Sequence, residues 1–277
     1  MKLSVFYDHI REAADQTGLP LLHICRLARE AGISGVEVNL TDVEESGEEL
    51  LSLLDAPKRI GLAVTRLCCY GDFGREPDSP GISRMIAAAR DCRCSEILII
   101  PGFLREGEDR ETHLSNMKKG LETLCACASE KGIHVGMEDY DDKIATFSTC
   151  QGLKWFLENV PGLHCVFDTG NFLYSEEDVL EAYEELKPWI RQGIHCKDRT
   201  WLYHGDEEPK LTVSGRAMYA CAVGSGCLPV GEIVTRLLKK GWNGIFTIEH
   251  YGTSDQLGCM LESARWLREL ESTLSEK

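Results

Sequence analysis

Four apolar runs in the second half of the chain each end in a residue type that binds divalent cations. Each run has the length of a buried strand, so the polar residue stands where that strand should end. The four are Glu138 in H-V-G-M-E, Asp168 in H-C-V-F-D-T-G-N, His195 in G-I-H-C-K-D and Glu249 in I-F-T-I-E-H. Helix-like segments separate the runs, which favours parallel strands whose carboxyl ends meet. The pattern predicts one site with three carboxylates and one imidazole.

This set of side chains indicates which cation would bind. Three carboxylates and an imidazole form an oxygen-rich, fairly hard site that suits Mn²⁺ best and also accommodates Mg²⁺, Co²⁺ or Zn²⁺. Four protein ligands leave one or two positions open on a five- or six-coordinate ion. Adjacent hydroxyl and carbonyl oxygens of a sugar would fill those positions, which polarises the carbonyl and stabilises an enediolate.

Two of the four residues also have the chemistry of a proton-transfer pair. Glu138 and Glu249 end the fifth and eighth predicted strands, so they lie on different sides of a ring of strands. One would take a proton from one face of the substrate and the other would return it to the opposite face. Each residue alone is more often a cap, a turn residue or a core residue. Their common position at strand ends is what indicates a site.

Strand-like and helix-like patterns alternate along the chain. We predict strands over Lys2–Tyr7, Gly35–Leu40, Leu62–Cys69, Glu96–Ile100, Ile133–Glu138, His164–Asp168, Ile190–Cys196 and Ile245–Glu249. We predict helices over Leu19–Ala31, Glu48–Arg59, Ser83–Cys92, Thr112–Lys131, Leu153–Asn159, Asp178–Leu186, Val230–Lys240 and Gln256–Leu274.

Eight such units in 277 residues predict an α/β protein with a (β/α)8 TIM barrel as a single domain over residues 1–277. Barrels of this kind have about 250 residues, and their active sites lie at the C-terminal ends of the strands. A doubly wound open sheet also alternates, but no G-x-G-x-x-G follows the first strand.

Composition limits the classes of partner. Acidic residues number 45 against 30 basic ones, for a net charge of −15. Such a surface repels phosphate backbones and anionic headgroups, so we expect a small-molecule substrate and neither nucleic acid nor membrane as partner. No apolar run approaches the ~20 residues of a bilayer span, and the N-terminus lacks the apolar core of a signal peptide. The thirteen cysteines are odd in number and include no C-x-x-C pair, which indicates reduced thiols in a cytoplasmic protein.

The longest connection without a helical pattern follows the seventh strand. It covers residues 199–228 and contains Trp201, Tyr203, His204 and Tyr219. Long connections of this kind are usually functional or disordered. Because the aromatic residues argue against disorder, we interpret it as a lid or a pocket wall.

Several of these motifs resemble the xylose isomerase-like TIM barrel superfamily, in particular its sugar phosphate isomerase/epimerase group with ketose 3-epimerases and inosose dehydratases. The most specific are F-D-T-G-N at Phe167–Asn171, H-C-K-D at His195–Asp198, and G-S-G-C-L-P-V-G-E-I followed by K-K-G-W-N-G-I-F-T-I-E. The resemblance spans essentially the whole chain. It implies metal ligation by Glu138, Asp168, His195 and Glu249, with the two glutamates as acid and base. Members of the group often form dimers or tetramers, so a homo-oligomer is allowed, although no segment identifies its interface.

The chain departs from the family pattern after the sixth strand. Many members carry D-x-x-H there, whereas this chain has Asn171 in D-T-G-N. We expect Asn171 to bind a sugar hydroxyl or to form a left-handed turn. Lys197 should point to the same side as His195 by strand alternation, where it would bind an oxyanion or a phosphate, or balance the acidic pocket. Asp198 is a further expected substrate contact, or a salt-bridge residue at the rim.

Two residues at the ends of the first two strands, His9 and Glu37, either line the pocket or, more often for such positions, have a structural role.

The sequence therefore predicts a divalent-metal-dependent sugar isomerase or epimerase. A dehydratase or lyase acting on an inosose or 3-keto-sugar is the alternative, since it uses the same deprotonation and then expels a leaving group. A phosphodiesterase like endonuclease IV is less favoured, because Asn171 replaces a histidine and the net charge repels DNA. A binding module without activity would predict the loss of a ligand residue, yet all four are present.

Overall fold

The computed structural model describes residues 1–41, 49–203 and 207–275. The strands of this part of the chain are β1 Lys2–Phe6, β2 Ile33–Asn39, β3 Ala63–Tyr70, β4 Glu96–Ile100, β5 His134–Met137, β6 Leu163–Asp168, β7 Ile190–Thr200, β8 Lys210–Leu211, β9 Ala217–Cys221 and β10 Ile245–Glu249. The helices are α1 Tyr7–Thr17, α2 Leu21–Glu30, α3 Leu50–Leu53, α4 Asp55–Ile60, α5 Gly81–Asp91, α6 Arg110–Ser129, α7 Cys150–Asn159, α8 Val179–Leu186, α9 Val230–Lys239 and α10 Gln256–Ser275, with a 3-10 turn at Asn171–Leu173.

Eight of the strands close into a parallel barrel. Strands β1 to β7 pair in sequence order, and β10 pairs in parallel with both β7 and β1. The predicted (β/α)8 TIM barrel is therefore confirmed. Closure leaves no free edge in the barrel and puts the carboxyl ends of all eight strands at one face.

Helices cover the barrel through apolar faces with helical spacing. In α9, Val230, Ile233, Val234 and Leu237 are buried, which is the i, i+3, i+4, i+7 pattern of one helix face. Each such side chain stabilises the fold by about 1.5–3 kcal/mol when it leaves water. The entry to α8 is set by Asp178, whose carboxylate accepts hydrogen bonds from two backbone N–H groups of the first turn.

One helix was not predicted, and one predicted helix was wrong in extent. Helix α1 was not expected, because its sequence Y-D-H-I-R-E-A-A-D-Q-T is mostly polar and only a narrow face, with Tyr7, Ile10 and Ala13, is buried. The helix predicted over Glu48–Arg59 is two short helices, and Glu48 lies outside the described residues. Pro57 explains the break, because it has no N–H to donate to the carbonyl four residues earlier.

The connection after β7 contains a small antiparallel addition. Strand β9 pairs with the end of β7, and β8 pairs with β9. The thirteen cysteines remain thiols, and most are buried. Among the described helices, none has the length and apolar character needed to cross a membrane.

Candidate metal centre and cavity

The ends of β5, β6, β7 and β10 meet around one buried point. Glu138, Asp168, His195 and Glu249 each offer a ligand atom there, and these atoms all lie within 4.8 Å of one another. The Nδ1 atom of His195 is central to the group. It lies 2.7 Å from Oε2 of Glu138, 3.1 Å from Oε2 of Glu249 and 3.7 Å from Oδ2 of Asp168.

Strand register brings these residues to one level. Asp168 pairs with His195 across β6 and β7, and His195 pairs with Thr247 across β7 and β10. Thr169 stabilises the pairing of β6 with β7. Its hydroxyl donates to the carbonyl of Lys197 at 2.7 Å and accepts from that residue's N–H at 2.9 Å.

The loop after β6 orients the carboxylate of Asp168. Its Oδ1 accepts hydrogen bonds from the N–H groups of Gly170 at 2.5 Å and Asn171 at 2.9 Å. This turn occupies one oxygen and leaves Oδ2 facing the cluster. The motif D-T-G-N therefore acts through its backbone as well as its side chains.

The cluster fits a divalent cation. Asp168 Oδ2, Glu138 Oε2 and His195 Nδ1 are buried polar atoms that lack a hydrogen-bond partner among the described residues. The 2.7 Å separation of Glu138 Oε2 and His195 Nδ1 is thus a close approach without hydrogen-bond geometry. Buried polar groups are rarely left in this state, and an oxygen-rich set with one imidazole suits a hard or borderline divalent ion.

A fourth carboxylate, that of Glu37, lies on the far side of the His195 ring. Nε2 of His195 is 3.1 Å from Oε1 of Glu37, and Arg66 donates from Nη1 to Oε2 of Glu37 at 2.8 Å. Both partners are fully buried in the barrel interior. Arg66 has room only because β7 carries Gly193 opposite it; a Cβ at that position would lie 2.1 Å from Nη2 of the guanidinium.

Lys197 lies beside the cluster, as strand alternation predicts. Its ammonium donates to Glu249 Oε1 at 2.6 Å and to Asn171 Oδ1 at 2.7 Å. Asn171 also donates from Nδ2 to the carbonyl of Asp139 and begins the 3-10 turn, so it does not form the left-handed turn considered from sequence. A Cβ at Gly170 would lie 2.6 Å from Cγ of Lys197, which requires glycine there.

The pKa values of the two glutamates of the cluster are shifted in opposite directions. Burial raises the pKa of Glu138 to about 7, even though the nearby His195 opposes this. Burial alone would also raise the pKa of Glu249, but Lys197 and His195 outweigh it and hold that pKa well below the usual range. Environments that separate the pKa values of two carboxyl groups are typical of acid/base pairs.

An open cavity of about 530 Å³ lies over the cluster, a volume within the range of small-molecule sites. Glu138, Glu249, Lys197 and Asn171 all line it. Its aromatic wall consists of Phe6, Tyr70, Tyr140 and Tyr251. The end of β7 and the connection after it supply another part of the wall, through Arg199, Glu208, Pro209, Lys210 and Ala220.

Asp198 is the one expected substrate contact that the structure does not bring to the cavity. Its carboxylate accepts hydrogen bonds from the backbone N–H groups of Arg199, Gly224, Gly226 and Leu228, at 2.9–3.2 Å. It is buried and absent from the cavity lining. Asp198 therefore anchors the loop that follows β9.

His9 has the kind of role that the sequence analysis favoured for it, whereas three charged residues near the site were not found from sequence. His9 accepts a hydrogen bond from the N–H of His250 and stacks on that ring, a structural role. Arg66, Asp141 and Lys210 were not singled out. Arg66 shows one sequence signal, a charged residue in an otherwise apolar strand; the other two lie in connections, where charge is ordinary.

Three solved structures show how widely this fold matches. D-Allulose 3-epimerase from Methylomonas sp. superimposes with a TM-score of 0.73 at 13% identity and covers 98% of each chain. The probable 3-DHS dehydratase AsbF from Bacillus anthracis gives 0.70 at 15% identity and covers 97% of this chain and 99% of that one. A xylose isomerase-like TIM barrel protein from Mycobacterium smegmatis in complex with magnesium gives 0.63 at 16% identity, over 91% and 88%. At these identities the likeness concerns the fold.

The sequence supports the same family. No curated protein sequence matches this chain. The profile of the xylose isomerase-like TIM barrel matches residues 25–270, which include all four cluster residues. By that match, and by the closed parallel barrel, the chain belongs to the xylose isomerase-like TIM barrel family.

Proposed function

We propose that this protein is a divalent-metal-dependent sugar isomerase or epimerase that moves a proton at a carbon next to a carbonyl group. The observation that carries the proposal is the position of Glu138 and Glu249. Both reach the same four-residue cluster, both line the cavity, and they extend from strands on different sides of the barrel.

The roles of the residues follow from their contacts. Glu138, Asp168, His195 and Glu249 would hold the cation, with Mn²⁺ the best candidate for a site of three carboxylates and one imidazole. The bound ion would supply Lewis-acid polarisation of the substrate carbonyl. That one structural neighbour is in complex with magnesium supports a divalent ion for this chain.

The protein's own groups would move the proton. Glu249 is kept ionised by Lys197, which makes it the proposed base, and Glu138 has the higher proton affinity, which makes it the proposed acid. Lys197 and Asn171, held together at 2.7 Å, would orient substrate oxygens. The aromatic wall would exclude water from the reacting carbon.

The direct test is solvent exchange. The Mn²⁺-loaded enzyme is incubated in D₂O with ketoses, inososes and 3-keto-glycosides, and deuterium at the reacting carbon is followed by NMR. We expect deuterium in the product. Turnover without any deuterium would overturn the proton-transfer proposal and favour a hydride shift.

A dehydratase or lyase acting on an inosose or 3-keto-sugar is the second candidate. It is supported by the likeness to a probable dehydratase, with a TM-score of 0.70. The same Glu138 and Glu249 would deprotonate the substrate. Mass spectrometry of the products separates the two: an epimerase conserves mass, whereas a dehydratase product is lighter by one water.

A further inference from the structure

Three cations of the described part of the chain line the cavity, and each has a carboxylate of the protein as partner. Lys197 lies 2.6 Å from Glu249. Arg199 Nη2 lies 3.5 Å from Oδ2 of Asp141, and Lys210 Nζ lies 3.4 Å from Oδ1 of the same carboxylate. Asp141 therefore forms ion pairs with both Arg199 and Lys210, the two cations that do not contact the four-residue cluster.

Three separate elements produce this arrangement. Asp141 follows β5 by a few residues, Arg199 lies near the end of β7, and Lys210 begins β8. Strand β9 pairs with β7 at Arg199, and β8 pairs with β9, so the added strands carry Lys210 to the cavity wall. Burial alone would raise the pKa of Asp141, but Lys197, Lys210 and Arg199 outweigh it and lower the pKa. The carboxylate is thus ionised and bound.

Among the described residues around the cavity, the cations do not outnumber the carboxylates, so no positive charge is left over for an anionic ligand. Five carboxylates belong to the cluster and the lining, namely Glu138, Asp141, Asp168, Glu208 and Glu249, against the three cations Lys197, Arg199 and Lys210. A divalent ion would supply the two missing positive charges. A phosphate or carboxylate on the substrate would then add uncompensated negative charge, or would have to displace Asp141 from its partners.

From this we infer that Asp141 is a specificity-determining residue, because its ion pairs keep other anions from binding to Arg199 and Lys210. The substrate is then a neutral sugar or polyol without a phosphate or carboxylate group. The inference rests on the proposed function for its sugar chemistry. The occupation of the two cations by Asp141 is independent of that chemistry and is tested separately.

The first experiment compares matched ligands on the Mn²⁺-loaded wild-type protein. A neutral ketohexose and its phosphate ester are titrated by calorimetry, and we expect the neutral sugar to bind at least about tenfold more tightly. Tighter binding of the ester would overturn the inference and leave the proposed function intact. If no sugar from the panel binds, the proposed function fails, and the second experiment alone decides the role of Asp141.

The second experiment uses sulfate as an anion that needs no sugar chemistry. Asp141→Asn should gain saturable sulfate binding, about tenfold or more above the wild type. Asp142→Asn is the matched control: it removes the same charge one residue away, where the carboxylate accepts only the N–H of Ile144 among the contacts described. Adding Lys210→Met to Asp141→Asn should abolish the gain. Saturable sulfate binding by the wild type, or no gain in Asp141→Asn with metal content and Tm preserved, would overturn the inference.

Discussion

Nε2 of His195 lies 3.1 Å from Oε1 of Glu37, on the side of the ring opposite the carboxylate cluster. A carboxylate in this position accepts the Nε2–H proton, so Nδ1 is the nitrogen that a cation would bind, after displacing any proton held there. Arg66 and the hydroxyl of Thr247 both donate to Oε2 of Glu37, which keeps that carboxylate ionised and oriented. A buried charge network in the barrel interior therefore supports the candidate metal centre.

We predict that Glu37→Gln weakens Mn²⁺ binding by about 10–100-fold, the usual effect of removing such an outer partner. The measurement is the Mn²⁺ Kd from calorimetry. Because the change leaves Arg66 buried without its partner and could unfold the protein, Thr247→Val is a milder variant that should shift Kd in the same direction. Ser4→Ala removes a buried hydroxyl of the barrel that bonds Thr65 instead, and should leave Kd unchanged. An unaltered Kd in folded Glu37→Gln would refute the role.

Removal of a proposed ligand should remove the ion. We expect about one divalent ion per chain in the wild type and little in Asp168→Ala or His195→Ala, measured by elemental analysis after dialysis. Mn²⁺ should also raise the Tm of the wild type and not of these variants, because a ligand of the native state stabilises it by mass action. Asp15→Ala removes an exposed carboxylate from α1 and serves as the control. Full occupancy in both ligand variants would contradict the assignment.

Metal affinity should fall as the pH is lowered. Burial raises the pKa of Glu138 to about 7, and although burial opposes it, Glu37 and Glu138 raise the pKa of His195 well above its usual value. Protons therefore compete with the cation for these two groups, and below about pH 7 each displaced proton should cost about tenfold in affinity per pH unit. Titrations with Mn²⁺ between about pH 5.5 and pH 8 check this. A Kd that is constant over the range would be incompatible with ligation by these groups.

Glutamine at either proposed proton-transfer residue should lower turnover far more than substrate affinity. With saturating Mn²⁺, Glu138→Gln and Glu249→Gln should each reduce kcat by roughly 10²–10⁴, the usual contribution of a positioned acid or base. If the two act on opposite faces of the substrate, one variant should still exchange the substrate proton with D₂O without releasing product. Near-normal rates in both variants would exclude the proposed pair.

A buried carboxylate outside the cavity gives a prediction on stability. Glu96 is 3% exposed at the start of β4, and burial raises its pKa from 4.5 to about 7. The native state therefore holds this proton more tightly than the unfolded state, so this contribution is present at low pH and is lost as pH rises toward 7.

Glu96→Gln should accordingly raise the free energy of unfolding at about pH 8, by up to about 3 kcal/mol, and have little effect near pH 4. Urea unfolding at both pH values is the measurement. Glu111→Gln, at an exposed position of α6, should show no such pH dependence. Equal effects at both pH values would mean that the proton of Glu96 is not linked to folding.

Much of the site was readable from the sequence because its signals are local. A buried strand that ends in a carboxylate or an imidazole shows as an apolar run followed by one polar residue, and this pattern identified Glu138, Asp168, His195 and Glu249. The alternation of strands and helices was enough for the barrel. Lys197 followed from strand alternation relative to His195.

What the sequence did not reveal depends on contacts between distant segments. Glu37 and Arg66 meet His195 only because closure of the barrel turns three strands toward one interior. Asp198 belongs to the same motif as His195, yet its carboxylate is taken up by backbone N–H groups of a loop about thirty residues later. Asp141 and Lys210 lie in connections with ordinary charge patterns, and only the pairing of β8 and β9 onto β7 brings them together. Residue type and local spacing indicated the candidate ligands and proton-transfer groups, whereas strand closure and side-chain packing decided which groups surround them.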